Sequence, residues 1–445
     1  PAKTRHNEVA PSQFELAPVF EEANLAIDHN QITMDTMISV AKKHKLACLL
    51  HEKPFAGING SGKHLNWSLS DNKGNNLLNP GKTPQDNIQF LIFLIAAIRA
   101  VYRHADILRA SVGSYGNDHR LGANEAPPAI ISVFLGAQLT KILEDIESGK
   151  ATKATDSEII DLGISSLPVV SKDSTDRNRT SPFAFTGTKF EFRAVGSSQS
   201  ISFPATVLNT IVAESLDDLA EKIQAALAKG GSLNQCVLAI LKKELKEIKP
   251  VLFNGDNYTA EWEREAARRG LPNNKTTPEA LKALITKKAL ALFEKYRVLS
   301  NVELKSRYLI HIERYIKDLE IEVKSLHGIC QTQIIPVATV YQTRLAEAIS
   351  ETREALGNKA DLSAQREILG RIVELINKVH GTRKEILAEM EKAAAIHDEQ
   401  KKAEFLSGKV KTKMSELRSY VDELEVLMDD ELWPLPKFWE MLFIC

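Results

Sequence analysis

The sequence predicts an α+β protein, with helices packed on short strands, followed by a long and mostly helical region. Two observations carry that expectation. Turn formers are concentrated early: residues 1–210 hold 13 Gly and 11 Pro, against 9 and 6 in the longer remainder. From Ile211 onward helix-period patterns dominate, and between Glu279 and Trp433 the only proline is Pro336.

Taken in order, the chain opens on a strand-like run broken by a Pro11-Ser12 turn. The runs LACLLHEKPF (Leu46 to Phe55), HLNWSL (His64 to Leu69) and KFEFRAV (Lys189 to Val195) read as strands between Gly, Asn and Pro clusters. An apolar helix from about Thr83 to Arg109 interrupts them. Phe253 to Asn274, rich in turn formers at both ends, reads as a link from the core to the helical tail. Helix starts are expected at Thr277, with Pro278 at the first helical position, and at Ser300, with Glu303 completing a capping box. RYLIHIERYIKDLEIEVKSL and REILGRIVELINKVHGTRKEIL place apolar residues at three and four spacing and charges elsewhere, the pattern of long amphipathic helices. The expected boundary between the two regions lies near residue 230.

With 57 Lys plus Arg against 58 Asp plus Glu, the net charge is −1. That balance lacks the broad basic footprint of a nucleic-acid binder. The most apolar stretch, Ile88 to Ile98, contains Gln89 and stops at Arg99, too short to cross a bilayer. Cys48, Cys236, Cys330 and Cys445 are widely separated, which argues against a zinc cluster or a disulfide scaffold and fits a reducing cytoplasm. The first residues have neither a secretory apolar core nor transit-peptide character.

Four segments hold residues suited to chemistry. In NEVAPSQFE, Glu8 and Glu15 flank the Pro11-Ser12 turn. On one unbroken strand their odd offset would put them on opposite faces, whereas a turn lets both point into one cavity and hold a hard divalent cation. Spacing alone favours a plain hairpin with two solvated glutamates. NGSGKH brings a glycine-rich loop, Asn59 to Gly62, to the start of a strand at His64; its spacing is not that of a Walker loop. RLGANEAPP ends a Gly/Ser/Asn-rich loop with Glu125, a carboxylate on a potential lid. NRT at Asn178–Thr180 and KFEFR at Lys189–Arg193 gather basic groups around Glu191, which shares a strand face with Arg193.

Together these segments resemble glutamine synthetase, in its long type III form. NEVAPSQFE resembles the family's N-E-V…Q-x-E segment, NGSGKH its N-G-S-G-x-H segment, RLGANEAP its R-L…E-A-P flap, and NRTS with KFEFR its nucleotide and metal strands. GANEAPPAI, NRTSPFAFTGTKFEFRAVGSS and the helical tail are type III features. The resemblance implies a curved antiparallel catalytic sheet of the glutamine synthetase/guanidino kinase type in residues 1–230, with a helical extension in 231–445. It implies ATP-dependent ligation of ammonium to the γ-carboxylate of glutamate through a γ-glutamyl phosphate. Two divalent metals, Mg2+ or Mn2+, would be held by Glu8 and Glu15 and by His64 and Glu191. Asn59, Gly60, Arg120 and Arg193 would bind glutamate, Phe20, Ser68, Arg179 and Lys189 the nucleotide. Glu125 would close the site and take a proton from ammonium, with Arg120 and Arg179 also in the catalytic set. It further implies a cytoplasmic homo-oligomer, a dodecamer of two hexameric rings, with no nucleic-acid or membrane partner.

There are departures. Ala184 stands where bacterial type I enzymes have a second arginine. The family's upstream E-x-E metal pair and N-terminal β-grasp domain have no counterpart, so the chain is expected to lack part of the active site. Glu320-Ile321-Glu322 cannot substitute, because an offset of two on a helix splays the carboxylates about 200° apart. A catalytically silent scaffold or regulatory protein, and a γ-glutamyl ligase using an organic amine, remain as competing readings.

Overall fold

The computed structural model describes residues 2–123, 126–149, 180–437 and 440, and the backbone alone of 159–160 and 170–171. The chain divides into two compact units, Val19–Tyr308 and the pair Pro1–Pro18 with Leu309–Cys445. Among the described residues no helix is long and apolar enough to cross a membrane.

The strands are β1 (Ala2–Asn7), β2 (Phe14–Pro18), β3 (Gly62–Trp67), β4 (Val133–Phe134), β5 (Ile159–Ile160), β6 (Val170–Ser171), β7 (Phe183–Phe185) and β8 (Phe190–Gly196). In the larger unit β3, β8, β7 and β4 form one sheet in that order. The expected antiparallel sheet holds for β3 with β8 and β7 with β8, whereas β4 runs parallel to β7. The expected strands HLNWSL and KFEFRAV correspond to β3 and β8, but LACLLHEKPF forms none. Leu46 and Leu49 are half exposed, and with no apolar face to bury the run stays irregular, tied by the Ser197 hydroxyl donating to the Leu50 carbonyl at 2.9 Å.

β8 alternates as a strand buried on both sides must. Phe190 and Phe192 point one way and pack on Phe183 at 4.7 and 6.1 Å between ring centroids, while Glu191 and Arg193 share the other face. Phe90, at the start of the apolar helix, closes on Phe185 at 5.9 Å and joins that helix to the aromatic layer.

The helices are α1 (Ala23–Lys43), α2 (Ile88–Ser111), α3 (Asn117–Arg120), α4 (Gly136–Ser148), α5 (Ser202–Leu227), α6 (Leu233–Ile248), α7 (Ala260–Arg268), α8 (Thr277–Leu281), α9 (Lys287–Lys295), α10 (Asn301–Ile329), α11 (Ile335–Leu356), α12 (Ser363–Ala394), α13 (Glu399–Phe405) and α14 (Lys411–Leu427). The expected apolar helix is α2, capped by the Asn87 side chain accepting from the Phe90 N–H. It packs on α5 and α6. The turn before α6, where residue 230 lies, is therefore inside the larger unit: Val237, Leu241, Leu245 and Ile248 of α6 are buried there. Phe253 to Asn274 is likewise folded rather than a free link. Phe253 stacks on Trp262 at 3.7 Å, and the Arg269 guanidinium lies 5.3 Å from the centroid of the Trp262 ring. α8 begins one residue earlier than its sequence suggests, because Thr276 and Glu279 form the capping box. The Ser300–Glu303 box is present, with the Ser300 N–H donating to Glu303 at 2.8 Å.

In the second unit, α12 packs on α11 and α14 through Ile372, Leu375, Val379 and Ile386. Pro336 follows directly on a π-helical turn at Cys330–Ile334 that joins α10 to α11 without a break, the local widening at which a helix accommodates a proline's missing N–H. β1 and β2 form an antiparallel hairpin in which His6 pairs with Glu15 and Asn7 with Phe14.

Candidate active site

The hairpin brings Glu8 and Glu15 together as a turn at Pro11-Ser12 allows. Ser12 takes a left-handed φ of 54°, and the Glu8 N–H donates to the Gln13 carbonyl at 2.9 Å. Between the two carboxylates lies His6. Its Nε2 is 3.1 Å from Glu8 Oε1 and 2.9 Å from Glu15 Oε2. One ligand atom from each of the three residues lies within 4.8 Å of the others. His6 went unnoticed in the sequence, although the strand period of two already set it on the face of Glu8.

The second cluster lies across β3 and β8. His64 Nδ1 meets Glu191 Oε1 at 2.7 Å, and the Arg193 Nη2 donates to Glu191 Oε2 at 3.0 Å. Burial raises the Glu191 carboxyl, but the hydrogen bond and charge of His64, reinforced by Arg193, hold it down at about 2. Glu191 is therefore an anion at any working pH. Register explains the pairing: Asn66 stands opposite Glu191 and Leu65 opposite Phe192, and His64, two residues before Asn66, lies on the same exposed face.

The glycine loop packs against Arg120. A Cβ on Gly62 would lie 2.1 Å from Arg120 Nη2, and one on Gly60 2.7 Å from the Glu52 carbonyl oxygen, so both positions exclude a side chain. Arg120 is almost fully buried at the end of α3. Its guanidinium donates to the carbonyls of Arg193 at 3.0 Å and Val195 at 3.4 Å and to Asn117 Oδ1 at 3.5 Å. Burial lowers its pKa to about 10, with the Glu52 charge opposing. Lys63, next in the loop, reaches the carbonyls of Ser197 and Gln199 at 2.5 Å.

Phe20 and Lys189, both expected at the nucleotide, lie together: the Lys189 ammonium is 5.7 Å from the centroid of the Phe20 ring. Ser68 follows β3 directly and is half-buried. Glu125 and Arg179 lie outside the described residues.

Comparison with known proteins matches residues 1–132 to the glutamine synthetase catalytic domain and residues 236–353 to the glutamine synthetase C-terminal domain. The type-3 glutamine synthetase of Dictyostelium discoideum is 47% identical over 447 residues, a span that covers 100% of this chain and 61% of that protein. The glutamine synthetase of Bacteroides fragilis is 43% identical over 452 residues, covering 100% and 62%. The chain belongs to the glutamine synthetase family. It spans about three fifths of the length of these relatives. A solved structure of apo GmaS without ligand aligns with a TM-score of 0.43 and 16% identity, over 71% of this chain and 55% of that one.

The donor sets of the two clusters suit the metals the family implies. Carboxylate oxygens and an imidazole nitrogen can ligate a divalent metal, and in each cluster they converge. Glu52 and Lys63 were not singled out in the sequence. A buried glutamate among HEKPF carries no local signal, because its partners come from residues 116–120 and 196–199.

Proposed function

We propose that this chain forms the catalytic part of a glutamine synthetase, joining ammonium to the γ-carboxylate of glutamate at the expense of ATP through a γ-glutamyl phosphate. The observation that carries the reading is the His64–Glu191–Arg193 line across β3 and β8, beside the NGSG loop. It sets an anionic metal ligand, a neutralising arginine and close-approach backbone on one strand pair. Glu8, Glu15 and His6 would hold one divalent cation, His64 and Glu191 the other; when bound, such ions screen the phosphate charges during in-line transfer. Arg193 directs its guanidinium along the face of Glu191, where it would meet a substrate carboxylate. Asn59 and Gly60 would receive glutamate, with Arg120 supporting that loop from below. Phe20, Ser68, Arg179 and Lys189 would contact ATP, the Lys189 charge lying with the Phe20 ring. Glu125 would act after phosphoryl transfer, taking the proton from ammonium.

The helices after about residue 231 would serve assembly rather than chemistry, in a cytoplasmic homo-oligomer, a dodecamer of two hexameric rings. The test is glutamine formation by the full-length protein with ATP, Mg2+ or Mn2+, glutamate and ammonium. Glu191→Gln should lower turnover by about 10²-fold or more, and His6→Ala should weaken Mn2+ binding by roughly tenfold. Formation of a γ-glutamyl amide only from an organic amine would replace this reading, and absence of any ATP-dependent product would end it.

A further inference from the structure

Glu52 is a carboxylate only 2% exposed, and three separated segments meet at it. Its Oε1 accepts the Ser198 N–H at 3.0 Å and the Ser198 hydroxyl at 2.6 Å. A Cβ on Gly116 would lie 2.3 Å from Oε2, and one on Gly196 2.5 Å from Oε1, so the carboxylate fills the space left by two glycines. Its backbone carbonyl accepts the Ser61 N–H at 2.8 Å and presses on Gly60. One residue thus touches the NGSG loop, the turn that starts α3, and the segment that follows β8.

A buried carboxylate needs compensating charge, and two cations supply it. Lys63 and Arg120 both lie near enough to interact with the Glu52 charge. Both cations in turn hold backbone. Lys63 reaches the carbonyls of Ser197 and Gln199, and Arg120 those of Arg193 and Val195 beneath Gly62. Ser197 adds a hydroxyl bond to the Leu50 carbonyl, so residues 50–52 and 196–199 are fastened from both sides.

We infer that Glu52 is a positioning residue for glutamate binding: it locks the 59–62 loop and the 196–199 segment into one surface through Lys63, Arg120 and Ser198. The inference rests on the reading that Asn59 and Gly60 receive glutamate. The Glu52 side chain is hydrogen-bonded to Ser198 and its carbonyl to Ser61, so it acts on how glutamate is seated and leaves phosphoryl transfer alone.

The test uses the full-length protein. Glu52→Gln keeps the shape and an acceptor for Ser198 but removes the charge that compensates Lys63 and Arg120. The expected result is a KM for glutamate raised roughly tenfold or more, with kcat and the KM for ATP little changed. Glu52→Asp should recover part of the glutamate KM, and amide exchange at Ser61 and Ser198 should quicken in Glu52→Gln. A folded Glu52→Gln with an unchanged glutamate KM overturns the inference, as does a fall in kcat at constant KM. If Glu52→Gln does not fold, Ser198→Ala, which removes one bond and keeps the charge, should show the same KM effect in weaker form; no effect there overturns it too. If the wild type makes no glutamine, the functional reading fails, and amide exchange at Ser61 and Ser198 then decides whether Glu52 locks the loop.

Discussion

Charged residues do different work in the unit Val19–Tyr308 and in the helices beyond it. In the first, a set of them is buried and joins segments distant in sequence. Arg99 is fully buried on α2 and meets Glu244 of α6 at 2.7 Å, and it also pairs with Asp218 of α5. Arg109 and Asp118, both buried, pair at 3.3 Å, and the Asp118 carboxylate accepts the Thr277 N–H at 2.8 Å. In the later helices, pairs such as Glu313–Lys317, Glu374–Lys378 and Arg418–Asp422 run along one turn in water, while Arg371–Glu423 and Lys402–Glu320 tie neighbouring helices near the surface. The difference is one of burial: charge sealed inside the first unit specifies which elements meet, while charge in the later helices stays mostly at the surface of a packing set by apolar period. Arg383 is a buried charge of the later helices: on α12, it meets His327 at 3.1 Å and His380 at 3.4 Å.

The sharpest way to break this contrast is to cut the chain. A polypeptide ending after Gly230 loses α6, and with it Glu244, leaving Arg99 without one of its two carboxylate partners and uncovering the surface on which Val237, Leu241 and Leu245 pack. It should show no cooperative unfolding by calorimetry, whereas one ending after Tyr308 should unfold cooperatively. Cooperative melting of the shorter piece would show that α6 is dispensable and that the contrast is wrong.

Next in size is a pair of single changes. Arg99→Ala removes the buried cation shared by Glu244 and Asp218, leaving Glu244 to the half-exposed Lys222, and should cost about 3 kcal/mol in denaturant unfolding. Lys317→Ala removes an exposed helical partner and should leave the melting temperature unchanged within error. Equal effects would erase the distinction between the two regions.

The same contrast decides what the sequence made legible. Period and capping announced α2, α10 and α12, and alternation announced β3 and β8, because those signals lie within a few residues. The Ser300–Glu303 box is local and was readable. The parallel pairing of β4 with β7, the packing of α6 on α2, and the failure of Leu46–Phe55 to form a strand depend on distant partners that no local pattern encodes. The site divides likewise. Residue type and motif point to Glu8, Glu15, His64 and Glu191, whose side chains lie in two clusters. His6 needed only the strand period to be applied to it, whereas Glu52 and Lys63 acquire their roles from three segments that meet only in the fold.

A pH titration sharpens the comparison at smaller amplitude. Hydrogen bonding from Arg99 lowers the Asp218 carboxyl below its ordinary 3.8; burial opposes this, and the charges of Arg99 and Arg103 add to it. A depressed carboxyl contributes stability that is present above the unfolded value and is lost as pH falls through the lower folded value. Asp218→Asn should therefore be less stable than wild type at neutral pH and lose less of its stability on acidification toward pH 2. An acid limb identical to wild type would show that the α2–α5 charge pairing does not hold the fold.

The smallest effect concerns thiol reactivity in the helical region, where packing rather than charge should govern. Cys330 is buried at the π-helical turn, and burial pushes its thiol up to about 11, with Arg383 opposing. Cys48 and Cys236 are only half-buried. A thiolate-directed reagent at pH 8 should label Cys48 and Cys236 first and reach Cys330 only when the helices open, because the reactive thiolate is scarce and enclosed there. Labelling of Cys330 as fast as Cys236 in the folded protein would mean that the turn between α10 and α11 opens readily, and that apolar packing is looser there than around the buried ion pairs of the larger unit.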